Sequence, residues 1–322
     1  MSGPGVFVTV GGRWLTVGMP GLMLLDTPSL YFRAFYGVPE SLTAPDGTPV
    51  NAVRGLIDMI ATLVRAYSPD EMIATMDADW RPAFRVEALP SYKAHRVAED
   101  GGDQVPDTLS PQVPIIEQVL DAVGIARVGV PGYEADDVIG TCATAAKGPV
   151  DIVTGDRDLF QLVDDSVPVR VLYTVRGLKN LEVVDEARVT ERYGVPGRSY
   201  ADFATLRGDP SDGLPGVAGV GDKSAAALIT RFGSLEAMLA ALDAGQAEGF
   251  PAGARTKLAK ARDYLAVAPT VVRVATDVPL PDVPTALPRA PKDPEALVAL
   301  SERWGLDAPL NRLLSALSAR PA

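Results

Sequence analysis

Short β-rich runs alternate with amphipathic stretches along the first half of the chain. "LMLLD" ends at Asp26, "MIATMD" ends at Asp77, and "DIVTGDRD" carries Asp156 and Asp158. Between these runs Ile115, Ile116, Val119, Leu120 and Val123 recur at helical spacing, as do Val138, Ile139, Cys142 and Ala143. Strands alternating with helices predict an α/β fold with a mostly parallel central sheet flanked by helices. In such a sheet the carboxyl ends of the strands share one edge, where ligands bind, so the aspartates are expected to converge. One aspartate after a strand most often serves a turn or a cap. Three in the same position, beside a further acidic turn at Glu134, point to a site.

The pattern changes near residue 190. In "RGDPSDGLPGVAGVGDKSAAALITRF", Asp209 and Asp212 stand three apart and face the same way if that stretch forms one helical turn. An apolar helix end, a glycine hairpin at Gly219 to Gly221 and a helix carrying Ala225, Leu228, Ile229 and Phe232 are expected next. Glycines let a phosphate approach the backbone, a helix N-terminus offers free amides, and Lys223 and Ser224 add contacts. Arg255, Lys257, Lys260 and Arg262 mark a basic helix. A connector turn and a solvated face are the plainer readings of these two features. A proline-rich segment, "DVPLPDVPTALPRAPKDP", leads to a last helix with Leu297, Leu300, Trp304 and Leu313. The expected division is a core over 19–190, a helical region over 191–270, and a tail over 271–322.

Composition narrows the chemistry. With 322 residues, 47% of them hydrophobic, the chain can bury a large core and is expected to be globular. No apolar run approaches the roughly 20 residues of a membrane helix, and the first residues lack a basic start followed by an apolar stretch, so no membrane and a cytoplasmic location are expected. The single cysteine, Cys142, excludes an intrachain disulfide, and with His95 the single histidine no Cys/His zinc site can form. Hard cations on oxygen ligands remain. The formal charge of −11 counts weakly against nucleic acid, whose phosphates favour a positive surface, so the distribution of charge matters more than its sum.

That distribution is uneven. "YEADDVIGTCA" packs Glu134, Asp136 and Asp137 against the start of an apolar run. One or two acids in a first turn cap a helix and complement its dipole. A third adds repulsion, which a bound cation offsets. "DWRPAFRVEALPSYKAHR" sets Arg81, Arg85, Lys93 and Arg96 soon after Asp77, with Tyr92 beside Lys93. Cations next to metal-binding carboxylates suit a phosphodiester, and an aromatic ring suits a base.

Five segments occur in a telling order: "LLDTPSLYFRAFYGV", "FRVEALPSYKAHR", "GYEADDVIGT", "VTGDRDLFQLV" and "GDPSDGLPGVAGVGDKSA". With them the chain, over roughly residues 19–317, resembles the bacterial 5′ nuclease and flap endonuclease family, including the 5′-3′ exonuclease domain of bacterial DNA polymerase I. The resemblance implies a PIN-like core with an arch region near 81–112, a helix-hairpin-helix-type DNA-binding region over 191–270 and a tail that packs back on the core. It implies that Asp26, Asp77, Glu134, Asp136 and Asp137 gather a first divalent metal, and Asp156, Asp158, Asp209 and Asp212 a second. The ions would be Mg²⁺ or Mn²⁺, with a monovalent cation as an option at the 217–221 hairpin. Arg33, Arg85, Lys93 and Arg96 would meet the scissile phosphate or the 5′ strand. Arg81, Tyr92, Gly219, Gly221, Lys223, Ser224, Lys257 and Lys260 would touch DNA.

The implied activity is two-metal hydrolysis at 5′ flaps, nicks, gaps or 5′ ends of DNA and at RNA primers, in replication and repair. A free-standing monomer working beside a separate polymerase and ligase is expected, with Met19 as an alternative start. A single-strand ribonuclease of the PIN class would lack the hairpin. A catalytically silent DNA-structure binder would have lost carboxylates. Three departures from the family pattern stand out: Thr27 and Pro28 where a glycine often follows the first aspartate, Gly213 in place of an asparagine, and the acidic, glycine-containing stretch 97–112 in place of a basic arch, expected as a flexible loop.

Overall fold

The computed structural model describes residues 7–10, 13–16, 21–98 and 101–320. Met19 and arch residues 99 and 100 lie outside the described residues. Strands β1 (Phe7–Val10) and β2 (Arg13–Thr16) form an antiparallel pair. The main sheet has six strands: β3 (Leu22–Asp26), β4 (Glu71–Thr75), β5 (Ala126–Val128), β6 (Val150–Thr154), β7 (Val169–Tyr173) and β8 (Glu182–Val184). Their order is β5-β4-β3-β6-β7-β8, parallel throughout except for β8 against β7. The three strands that lead to Asp26, Asp77 and Asp156 are therefore the adjacent trio β4-β3-β6.

Helices α1 (Thr27–Gly37) and α2 (Asn51–Tyr67) follow β3, α3 (Ala83–Ala88) and α4 (Gln112–Val123) follow β4, and α5 (Ala135–Ala145) follows β5. After β8 come α6 (Glu186–Tyr193), α7 (Tyr200–Arg207), α8 (Asp222–Phe232), α9 (Leu235–Asp243), α10 (Ala254–Lys260) and α11 (Arg262–Val272). Helices α12 (Pro294–Trp304) and α13 (Asp307–Ser318) come last.

The period of two along each strand separates two buried layers. Met23 and Leu25 face one side with Met72, Ala74, Val153 and Leu172, under apolar side chains of α1, α2, α4, α12 and α13. Leu24 faces the other with Ile73, Ile152 and Val171, under α5, α7, α8 and α11. On α2 the buried residues Val53, Leu56, Ile57, Ile60 and Val64 form one stripe, and Leu310, Leu313 and Leu317 of α13 belong to the same layer. Each such leucine contributes roughly 1.5–3 kcal/mol by leaving water. The segment before α12 is laced to β4, with Met72 N donating to Thr285 O at 2.9 Å and Leu287 N to Asp70 O at 2.9 Å.

One local expectation is corrected. The apolar stretch before the glycine hairpin is not a helix end: α7 stops at Arg207, and Leu214 instead bridges back to Asp209. At the departure from the family pattern at Thr27 and Pro28, helix α1 starts directly after β3. Asp26 itself caps α1, its Oδ1 accepting from Ser29 N at 3.2 Å, and the proline at Pro28 suits the first turn, where no amide partner is needed.

Candidate metal centre

Helix geometry places the acidic residues. Because α1 starts directly from β3, Asp26 is held at the sheet edge, 4% exposed, with Thr154 Oγ1 of β6 donating to its Oδ2 at 2.5 Å. Asp77 lies just past β4 and accepts from Ala135 N, the first residue of α5, at 2.8 Å. Asp156 and Asp158 follow β6 in a tight turn, Asp158 N donating to Asp156 Oδ1 at 2.8 Å. Asp209 opens a short 3-10 turn, Pro210–Asp212, that brings Asp212 to the same side. Asp26, Asp77, Glu134, Asp136, Asp156, Asp158, Asp209 and Asp212 all line one cavity of about 610 Å³.

The ninth acid does not. Asp137 is fully buried, and its carboxylate accepts from Arg85 Nη1 and Nη2 at 2.7 and 2.6 Å, from Glu134 N at 3.1 Å and from Ala275 N at 2.8 Å. A carboxylate has about four acceptor sites, so none is left for a cation. Arg85, 2% exposed, also donates to Glu134 Oε2 at 2.6 Å and to Val271 O at 3.1 Å. It is an internal cation that ties α3, α5 and α11 together, not a phosphate contact. Tyr92 is likewise buried, its hydroxyl donating to Glu134 at 2.7 Å, so no face is free for a base. Arg81 is committed to the carbonyls of Tyr92 at 2.6 Å and Pro90 at 3.0 Å, which shapes its own loop.

Lys93, Arg96 and Arg157 bring positive charge to the cavity. Lys93 Nζ donates to Glu134 Oε1 and to Trp80 O. Its backbone is in the left-handed region at φ 47°, held by Lys93 N donating to Asp212 O at 3.0 Å. Such a conformation costs of order 1–3 kcal/mol and is kept where the surroundings demand it. The same contact explains Gly213: a Cβ there would lie 2.1 Å from Ser91 O, so an asparagine would not fit this backbone. Arg33 stands in a neighbouring recess that shares Ser29, Phe32 and Gly155 with the main cavity.

Crowding shows in the electrostatics. Withdrawal from water pushes Asp26 up to about 7 despite its hydrogen bond from Thr154, and Asp156 and Asp77 add repulsion. Asp136 is raised well above the ordinary carboxylate range by desolvation and then by Asp26 and Asp156, and Asp158 by desolvation and then by Asp156 and Asp212. Asp209 moves the other way. Burial opposes its charge, but hydrogen bonds from Ser211 and from Arg157, whose Nη2 lies at 2.6 Å, hold it below the usual value.

As their side chains stand, no three or more His, Cys, Asp or Glu of the described residues close on one point in metal-holding geometry. Asp26, Glu134 and Asp209 turn to Thr154, Lys93 and Arg157 instead. The donor set still fits hard cations: it is all oxygen, Asp26, Asp136 and Asp158 hold their protons tightly because they are withdrawn from water and repelled by neighbouring acids, and Asp158 Oδ1 is buried without a hydrogen-bond partner. Arg157 and Asp103, which also lines the cavity, were not singled out in the sequence. Arg157, lying between two acids, carried a readable signal; Asp103 did not.

At the glycine hairpin Gly219 has φ 74°, and Gly219, Gly221, Lys223 and Ser224 are all exposed at the start of α8. Lys257 Nζ donates to Gly219 O at 2.8 Å, bracing the hairpin from α10, and Lys260 is exposed on the same helix.

Oxygen donors at the open edge of a parallel sheet, with cations beside them, are the groups that a metal-assisted phosphoryl-transfer site requires. The chain belongs to the 5′-3′ exonuclease family. Residues 21–194 match the family's N-terminal resolvase-like domain and residues 195–295 its C-terminal SAM fold. A 5′-3′ exonuclease of Streptomyces coelicolor is 64% identical over 302 residues, covering 92% of this chain and all of that protein. DNA polymerase I of Mycobacterium bovis is 40% identical over 311 residues, covering 93% of this chain and 32% of the polymerase. The fold is also that of a bacteriophage T5 flap endonuclease solved with DNA and metal ions, with a TM-score of 0.60 at 18% identity over 92% of this chain and 99% of that one.

Proposed function

We propose that this chain is a 5′ nuclease that hydrolyses phosphodiester bonds at 5′ flaps, nicks or 5′ ends of DNA and of RNA-primed duplex, with Mg²⁺ or Mn²⁺ as cofactor. The observation that carries the reading is the cavity: eight carboxylates from β3, β4, α5, β6 and the 209–212 turn line one space with Lys93, Arg96 and Arg157. Asp26, Asp77, Asp136, Asp156, Asp158 and Asp212 would hold divalent ions, with Glu134 and Asp209 shared with their basic partners. When bound, such ions acidify water and stabilise the leaving oxygen. Lys93 is placed to neutralise charge on the phosphoryl oxygens, and its bonds to Glu134 and Trp80 O fix its direction. Tyr31, Phe32 and Trp80 wall the cavity. The Gly219–Gly221 hairpin and the first turn of α8 offer amides, Lys223 and Ser224 to duplex phosphates. A role for a monomer in the cytoplasm, beside a separate polymerase and ligase, accords with this activity.

The test compares metals on 5′-labelled flap DNA. Ca²⁺ is larger and a poorer acid than Mg²⁺, so binding without cleavage is expected in Ca²⁺, and a short 5′ product on adding Mg²⁺ or Mn²⁺. Cleavage that persists in EDTA, or tight binding with no product in any divalent metal, would overturn the reading.

A further inference from the structure

One more acid reaches the cavity, from the segment that follows Lys93 and Arg96. Asp103 accepts from Arg96 Nε at 3.3 Å and from Nη2 at 2.8 Å through its two oxygens. The backbone keeps it there: Gln104 N donates to Arg96 O at 2.9 Å, Ala98 N to Gly102 O at 2.8 Å, and Val97 and Asp103 form an antiparallel bridge. The Arg96 guanidinium carbon also lies 5.6 Å from the Trp80 ring centroid, and Arg96, Trp80, Lys93 and Asp103 line the cavity together. A guanidinium fork engages a carboxylate and a phosphate in the same two-bond manner. Arg96 is thus held ready for an anion while a side chain occupies the anion's position.

We propose that Asp103 is an internal competitor of the substrate phosphate and so a specificity-determining residue of the reaction; this rests on the nuclease reading above and refines it. Entry of a phosphodiester exchanges one anion for another at Arg96. A strand anchored by several phosphates, with others near Lys93 and the hairpin, completes the exchange. A short or singly held anion gains too little from Arg96 to displace a carboxylate that is covalently tethered beside it.

The exchange has a measurable signature. A phosphate that replaces Asp103 neutralises no net charge at Arg96, whereas in Asp103→Asn it neutralises a free guanidinium. The plot of log affinity for flap DNA in Ca²⁺ against log salt should therefore steepen by about 0.7–0.9, one phosphate's worth. Affinity at low salt should rise about fivefold, the scale of a half-exposed ion pair, with Asp103→Ser behaving alike. Neither gain should appear when Asp103→Asn is added to Arg96→Gln, and the exposed Asp107→Asn should change neither quantity. An unchanged slope, weaker binding, or a gain that survives in Arg96→Gln or is matched by Asp107→Asn overturns the inference. If the wild-type chain also cuts the same DNA with Mg²⁺, only the inference falls; if it neither binds nor cuts, the nuclease reading falls with it.

Discussion

Asp136 and Asp137 are neighbours in the chain and opposites in the structure. Asp136 opens onto the cavity among like charges, where its carboxyl is held well above the usual range, first by desolvation and then by Asp26 and Asp156. Asp137, rotated about 100° around the same helix turn, points into the core and meets Arg85, two backbone amides and no solvent. The comparison extends to what surrounds them. On the cavity side Asp156 repels both Asp26 and Asp158; on the core side Asp137 and Arg85 form a network that reaches the cavity through Glu134, which also accepts from Tyr92. One group stores electrostatic cost that a bound cation would relieve, and the other fixes the frame on which that group is mounted.

The two sides should break differently. The largest effect belongs to the cavity: Asp158→Asn should lower the single-turnover cleavage rate by about four decades, about 5.5 kcal/mol of barrier, while thermal unfolding without metal stays the same or improves as repulsion falls. Near wild-type turnover in this variant would remove Asp158 from the chemistry.

Next comes the core side. Arg85→Met leaves Asp137 buried without its cation and Glu134 with Lys93 alone, and breaking such a pair from one side costs about 3–5 kcal/mol. Denaturant unfolding should show a loss of that order. A variant as stable as wild type would mean that the network is solvated after all.

A smaller effect sharpens the contrast through pH. Asp26 rises from 3.8 to about 7 on folding, so between roughly pH 4 and 7 the folded chain holds a proton that the unfolded chain has lost. Its contribution to stability therefore falls as pH rises through that window and levels off above it. Divalent ions bind the ionised carboxylate, so Mg²⁺ should raise the unfolding temperature by about 2–4 °C at pH 8 and by much less at pH 5.5. Equal shifts at both values would separate metal binding from this cluster.

Much of this was legible in the residues. Runs ending in Asp26, Asp77 and Asp156 announced a parallel sheet with acids at one edge, since strand polarity alone brings such ends together. Types of residue were readable; directions were not. Asp137, Arg85 and Tyr92 look like their site-facing neighbours in a string of letters, and only the packing of α11 over α5, with Val271 O and Ala275 N reaching into the network, turns them inward. The first helix of the hairpin region was misplaced for a related reason: Leu214 and Val217 are apolar because they are buried beneath the turn, not because they continue a helix. No periodicity marks Asp103, which the bridge between Val97 and Asp103 brings back to Arg96.

The most direct measurement sets Asp136→Asn beside Asp137→Asn, following unfolding temperature with and without Mg²⁺ at pH 8 together with flap cleavage. Asp136→Asn should keep the metal-free stability of the wild type and lose both the Mg²⁺-induced shift and cleavage. Asp137→Asn should unfold at lower temperature yet still be stabilised by Mg²⁺ and still cut DNA below that temperature. The reverse pattern, or the same pattern in both variants, would contradict the division of these two carboxylates between metal and frame.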